Sequence, residues 1–418
     1  MRRLIGLFIV LLPLNLMADP YSVYEPATEN NLFIGIRAAG MGGAQIAAAE
    51  DGSAIWYNPA LLANIRRVEL AASFGYQRFF NTSAYRTSTP LISNEYQDNN
   101  TRPQGFWAAI PLAANRSGFT LAFSGNRIIS FDRTFRYESV PGWWDSQLTD
   151  GFGGGEDETG SLWAYSFGGG FDLTPTTSIG LAVDILDGAD DFAQFDDSIA
   201  GDESYSYERY LQNNYSGYGG KLGLVFSAGP NLRIGALIKF PSRIEIEQYQ
   251  ESIIDNNGPR QRTVNTGKYG YDLPFSVGIG GVYYYRQLLV ALDFTHTDYT
   301  QLDYNSGVDQ PAANLEVKRY YRDVIKIAAG AEYSLPDIGL SLRAGYNRDP
   351  IPFKYFTSEK ELQIFTGGLS YLIDRSLKLD AAINLGSWER VDPTFRADVS
   401  TLEKYKFQRF YMGMTYRF

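Results

Sequence analysis

The chain has a single histidine, His296, set in FTHTDYT (294–300) with Asp293 and Asp298 close by. A histidine between carboxylates could serve as a general base, but a nucleophilic triad also needs a positioned serine or cysteine. The chain has no cysteine, and no serine motif adjoins His296. The residue therefore reads as one at the rim of a strand, and catalysis is not expected. The lack of cysteine also removes disulfides and thiolate metal sites, and one histidine cannot build a multi-histidine zinc centre. Gly40-Met41-Gly42-Gly43 has part of a dinucleotide loop, but Gln45 stands where its third glycine belongs and no βαβ unit follows. The acidic run DGADDFAQFDDSIAGDE (187–203) offers carboxylates to Ca²⁺ in a spacing that fits no calcium loop, so a solvated external loop is expected. No metal or other cofactor is expected.

A last charged set is spread through the chain: Asp184, Arg233, Lys239, Lys326, Glu332, Arg343 and Asp380. Each alternates with apolar neighbours. In LKLDAAINL (377–385), Leu377, Leu379, Ala381, Ile383 and Leu385 share one face, and Lys378, Asp380, Ala382 and Asn384 share the other. Leu232 to Phe240, Ile179 to Ile185 and Ile325 to Tyr333 repeat the pattern. A period of two places these charges on one face of strands whose other face is apolar. They could steer a carboxylate-bearing solute, but a network that supports the wall is the reading adopted.

Fourteen such strands can be placed, and their connections alternate in length. Segments 113–117, 174–178, 227–231, 285–287, 335–338 and 374–376 are short; 80–102, 140–160, 187–214, 251–266, 303–318, 348–360 and 389–403 are long and polar. Sorting of short turns to one end and long loops to the other, with an even strand number, predicts a 14-stranded antiparallel transmembrane β-barrel rather than a soluble sandwich. The chain ends RFYMGMTYRF, with Tyr416 and Phe418 on the apolar face. This ending resembles the signal read by the barrel-assembly machinery of outer membranes.

Arg2 and Arg3 followed by LIGLFIVLLPLNLM form a secretory signal, with Ala18 as the expected cleavage point. Loss of the two arginines takes the formal charge from −10 to −12. Such a charge argues against a nucleic-acid partner, which needs clustered Lys and Arg. The organisation expected is therefore 1–18 signal peptide, 19–67 an N-terminal plug and 68–418 the barrel. The plug follows from burial: Phe33, Ile34, Ile36, Met41, Ile46, Ile55, Trp56, Leu61 and Leu62 are too apolar for a solvated tail, and the lumen is the shelter available. Within it, Asn58 can cap a short helix that Pro59 begins.

GIRAAGMGGAQIAAAEDGSAIWYNPALLA (35–63), supported by LPFSVGIGGVYY (273–284) and LRAGYNRDPIPF (342–353), resembles the FadL-type outer-membrane transporters of long-chain fatty acids and other hydrophobic compounds. The resemblance implies a hatch-plugged barrel that passes hydrophobic molecules, fatty acids or aromatic hydrocarbons, by diffusion. It implies a hatch gated by Gly40, Gly42, Gly43, Asn58, Pro59 and Ala60, with Phe33, Ile36, Ile55, Trp56 and Leu61 as pocket candidates. It also implies an inward kink in the third strand. Ser124, Gly125, Asn126 and Arg127 are the candidates for that lateral opening, because a bulge at Ser124-Gly125-Asn126 would turn Arg127 inward, and Asn58-Pro59-Ala60 is expected beside it. The partners expected are hydrophobic small molecules, outer-membrane lipid and the assembly machinery, for a monomer in the outer membrane of a Gram-negative-type bacterium. The alternative is a barrel of the same family that scaffolds a secretion or assembly system.

Overall fold

The computed structural model describes residues 32–86, 94–114, 117–138, 152–200, 203–256, 258–307, 310–354, 357–396 and 399–418. The signal segment 1–18, and residues 19–31 of the expected plug, lie outside them.

Period-two sequences that carry apolar residues on one face close into a barrel, because lipid leaves no backbone group unpaired without a large penalty. The strands are β1 (Glu69–Arg86), β2 (Asn94–Ala114), β3 (Ser117–Ser130 and Arg133–Glu138), β4 (Phe152–Thr174), β5 (Thr177–Ala200), β6 (Glu203–Ser227) and β7 (Leu232–Lys239 and Ser242–Asp255). They continue as β8 (Gln261–Leu273 and Ser276–Tyr285), β9 (Leu288–Asp298 and Asp303–Ser306), β10 (Asp323–Leu335), β11 (Leu340–Asp349), β12 (Thr357–Leu372), β13 (Leu377–Arg396) and β14 (Val399–Arg417). Each is antiparallel to its neighbours, and β14 returns to β1 in register from Glu69↔Arg417 to Arg86↔Ser400. The fold is a closed 14-stranded antiparallel β-barrel.

The faces sort as the alternation requires. Leu181, Val183 and Ile185 are exposed outward, whereas Ala182 and Asp184 between them are buried inward. Leu379 and Leu385 likewise face out around buried Asp380, Ala382 and Asn384. Breaks within strands have local causes. β7 is interrupted at Phe240–Pro241 and β8 at Pro274–Phe275, and the register sets these breaks side by side. Proline has no N–H to give to a ladder.

The long connections differ from their sequence reading. Segments 187–214, 251–266 and 389–403 are expected as loops but run largely as paired strands. Polar hairpins of this kind are held by their backbone ladders, with cross-strand charges on the exposed faces in place of apolar ones. Arg262 meets Glu251 at 2.7 Å, Lys268 meets Glu247 at 3.1 Å and Arg260 meets Glu208 at 3.3 Å. Segment 303–318 holds a short strand and most of a helix, Gln310–Tyr320, whose Val317 is buried. Asn314 ties that helix down, accepting from Tyr304 N at 2.7 Å and donating to Asp303 Oδ1 at 2.7 Å.

Candidate functional site

Residues 32–67 run through the lumen as short turns: α1 (Ile36–Gly40), α2 (Ala54–Tyr57) and a 3₁₀ segment, Pro59–Asn64. A chain this irregular has many backbone groups without helical partners, and the wall must satisfy them. It does so from all sides. Asn384 Nδ2 donates to Ala39 O at 2.6 Å, Asn347 Nδ2 to Gly42 O at 2.8 Å and Thr366 Oγ1 to Gly40 O at 3.0 Å. Asp293 Oδ2 accepts from Ile46 N at 2.8 Å. Glu69 Oε1 accepts from Gly52 N at 3.0 Å and from Trp107 Nε1 at 2.9 Å.

Asn58 does more than cap. Its Oδ1 accepts from Ala60 N at 3.1 Å, while Nδ2 donates to Ile46 O at 2.8 Å, Leu224 O at 3.2 Å and Ala236 O at 3.3 Å. The side chain thus starts the 3₁₀ turn and fastens it to β6 and β7. Pro59 and Ala60 lie against Gly180 of β5, where any Cβ would collide with their backbone. Gly42 has φ of 63°, and a Cβ on it would stand 2.6 Å from Tyr346 O of β11. Gly43 has φ of 79° and Gly40 sits against Gly368 of β12. Glycine is needed at 42 for both conformation and clearance.

The inward charges form separate local groups beneath and beside this segment. Arg37 Nε meets Glu332 Oε2 at 2.9 Å, Arg343 Nε meets the same oxygen at 2.5 Å and Arg343 Nη1 reaches Asp380 Oδ1 at 3.1 Å. Lys378 Nζ adds a contact to Asp380 Oδ2 at 3.2 Å. Lys221 Nζ pairs with Asp184 Oδ2 at 2.9 Å and lies 4.0 Å over the Trp56 ring, which Lys239 also approaches at 4.8 Å. Lys326 pairs with Asp349 at 2.5 Å, and Arg233 donates to Ala47 O at 3.3 Å.

Above the segment the lumen changes character. Phe79, Ile129, Leu162, Leu186, Tyr215, Ile246, Tyr271, Tyr304, Ile364, Trp388 and Phe407 project inward from eleven different strands into one apolar cluster. Of the five pocket candidates, Phe33 and Ile36 belong to this cluster and Trp56 packs against it. Ile55 and Leu61 do not. They are fully buried in a second cluster with Ala109, Ala122, Ala182 and Val225, between the N-terminal segment and the wall. Sequence reasoning missed the apolar ring because its members follow polar or small inward residues on the same strands.

Ser124, Gly125 and Asn126 are not where β3 breaks. Ser124 is in register with Trp107 and Ser166, and Asn126 with Gly105 and Ala164. Gly125 instead admits the Phe106 and Tyr165 rings on the outer face. The ladder to β2 ends after Asn126, and a register shift against β4 follows Arg127. Arg127 is buried with its Nη1 3.4 Å from Asp132 Oδ2. Asp132, at the break, also accepts from Ser130 Oγ at 3.1 Å, Thr159 Oγ1 at 2.9 Å and Arg102 Nη2 at 2.9 Å. Leu32 N donates to Ile128 O at 2.9 Å, so the N-terminal segment abuts β3 just past the parting point. Asn58-Pro59-Ala60 makes its hydrogen bonds and tight wall contacts on β4, β5, β6 and β7 rather than at Ser124–Arg127. A cavity of about 660 Å³ lies by the parting strands at the long-loop end, lined by Asp98, Asn100, Arg102, Asp132, Tyr210 and Glu251 among others.

His296 is half-exposed, with Nε2 3.5 Å from Asp323 Oδ2. Among the described residues no group of three His, Cys, Asp or Glu converges as a metal site would. Tyr416 and Phe418 face outward with ring centroids 4.9 Å apart.

The family model described as outer membrane protein transport protein (OMPP1/FadL/TodX) matches residues 34–408. Solved structures share the fold over nearly the whole chain. A Pseudomonas aeruginosa FadL homologue superposes with a TM-score of 0.67 at 16% identity, covering 92% of this chain and 99% of that one. The P. putida toluene transporter TodX gives 0.63 at 15% identity over 92% and 99%. The Ralstonia pickettii toluene transporter TbuX gives 0.56 at 16% identity over 92% and 98%. No curated protein is significantly similar in sequence.

Proposed function

The chain belongs to the OMPP1/FadL/TodX family of outer membrane transport proteins, and from that premise we propose that it is a passive channel taking up hydrophobic compounds through a hatch-gated barrel. The observation that carries this reading is the apolar ring above the N-terminal segment. Barrels that pass ions or sugars have polar, watered lumens. A ring of aromatic and aliphatic side chains lowers the free energy of an apolar solute and repels a hydrated one.

In this reading residues 19–67 are the hatch and 68–418 the barrel, with export through the 1–18 signal. Solute settles in the ring against Phe33, Ile36 and Trp56, and the hatch shifts to release it. The parting of β2 from β3 beyond Gly105 and Asn126 supports a lateral exit into the bilayer, with Arg127 and Asp132 holding its edge. Tyr416 and Phe418 serve as the assembly signal of a monomeric barrel. Long-chain fatty acids and aromatic hydrocarbons are the two cargo classes proposed.

Uptake of labelled long-chain fatty acid and labelled toluene tests the reading. In a host deleted for its own hydrophobic-compound channels, the protein should restore at least one. Failure to restore either, with secretion components retained through purification, would establish the scaffold role instead.

A further inference from the structure

Three inner-face residues lie at one height on neighbouring strands: Asn81 on β1, Tyr405 on β14 and Trp388 on β13. The register pairs Asn81 with Tyr405 and Tyr405 with Trp388. Around them the Trp388 and Tyr405 rings stack at 4.6 Å and 11°, and Phe79 lies 5.9 Å from Trp388. Asn81 is 0% exposed and Trp388 1%. Yet Asn81 Nδ2, Asn81 Oδ1 and Trp388 Nε1 have no hydrogen-bond partner among the described residues. A buried indole N–H or carboxamide normally finds one. Three unmatched polar atoms inside an aromatic box cost stability, and a ligand that matches them would recover it.

We propose that this wall is a subsite for an uncharged apolar molecule carrying a hydroxyl group, its ring or chain lying in the aromatic box. The proposal rests on the transport reading and narrows its cargo. The donor and acceptor pattern selects the group. Trp388 can only donate, whereas the Asn81 amide can donate and accept. A hydroxyl oxygen does both. A bare hydrocarbon leaves the polar atoms unmatched. A carboxylate would be desolvated without a cation, since the inner-face cation below this row, Arg409, is engaged by Gln77 Oε1 at 2.7 Å and lies over the Phe407 ring at 4.0 Å. Asp98, in register with Phe79 on β2, adds a repulsive charge. Asp98 also lines the 660 Å³ cavity, so the cavity reaches the register partner of Phe79.

The test is equilibrium binding of labelled toluene, p-cresol and 4-methylbenzoate to the full barrel in nanodiscs, with empty nanodiscs subtracted. Toluene and p-cresol differ by one hydroxyl. The wild type should bind p-cresol about tenfold tighter than toluene or 4-methylbenzoate, the fold-change that one net hydrogen bond supplies. Trp388→Phe and Asn81→Leu, each checked for the heat-modifiable gel shift of a folded barrel, should each abolish the preference for p-cresol over toluene. Equal binding of p-cresol and toluene by the wild type would overturn the inference while leaving the transport reading intact. So would a preference that survives both substitutions. Binding of none of the three would overturn the inference together with the reading it rests on.

Discussion

The two halves of the lumen are built from the same strands and differ in almost every inward residue. On β13 the short-turn half presents Asp380 and Asn384, and the long-loop half presents Trp388. On β14 Gly413 gives way to Phe407 and Tyr405. The lower half is a surface for holding peptide: amides, hydroxyls and ion pairs meet backbone groups, and wall glycines let that backbone approach. The upper half has few such partners to offer and presents rings and branched aliphatics. A barrel wall can therefore carry two unrelated solvents in sequence along one axis. The lower half should govern whether the N-terminal segment stays in place, and the upper half should govern what passes.

Substitutions can test that division. The largest effect is expected from Arg37→Met, which removes one partner of a buried ion pair and leaves Glu332 with Arg343 alone. Breaking such a pair costs about 3–5 kcal/mol. The N-terminal segment should become protease-sensitive and single-barrel conductance should rise, while the gel shift of the folded barrel stays unchanged. If the barrel itself unfolded, hatch and wall would be one cooperative unit and the division would fail.

Asn58→Ala should act in the same direction and more weakly. It removes the cap and both bonds to the wall, for a loss of about 1–2 kcal/mol. Conductance should increase by less than in the Arg37 variant, and the melting midpoint of the barrel should move little. Ile246→Leu in the upper half should have the smallest effect on stability. A volume-conserving exchange costs under about 1.5 kcal/mol. The ratio of fatty-acid to toluene uptake should change without any rise in conductance. A conductance rise in that variant would show that the apolar ring also holds the hatch.

Much of the barrel was legible in the sequence because β-alternation is local. A period of two can be seen within nine residues, as in 377–385, and the even strand count follows from repeating it. Asn58-Pro59 was legible for the same reason, since a cap and its helix start are adjacent. What escaped depends on distance or on a change of rule within one strand. Arg37 and Glu332 are 295 positions apart, and nothing local pairs them. Beyond the membrane, strands such as β5 and β6 lose their apolar outer face and still pair, so polarity was mistaken for a loop. The break in β3 is expected at Ser124-Gly125-Asn126, where glycine and asparagine suggest freedom. Pairing to β2 ends just past them, at Asn126, and the strand itself is interrupted beside Asp132, whose carboxylate gathers Arg102, Arg127, Ser130 and Thr159. An aspartate hub has no signature of its own in a sequence.

Glu69 has a consequence for the order of assembly. It opens β1, and its carboxylate takes Gly52 of the N-terminal segment, Trp107 of β2 and, at 2.8 Å, Arg417 at the end of β14. The last of these arrives only when the final strand has been laid beside the first. Contacts between the two ends of a chain form late, because a long loop must close before they yield anything. Until then the N-terminal segment lacks a full set of fastenings and the strand edges of β1 and β14 are bare. Closing the seam and fastening the N-terminal segment are thus a single late event in time, and a barrel caught before it is open-edged with that segment partly untied.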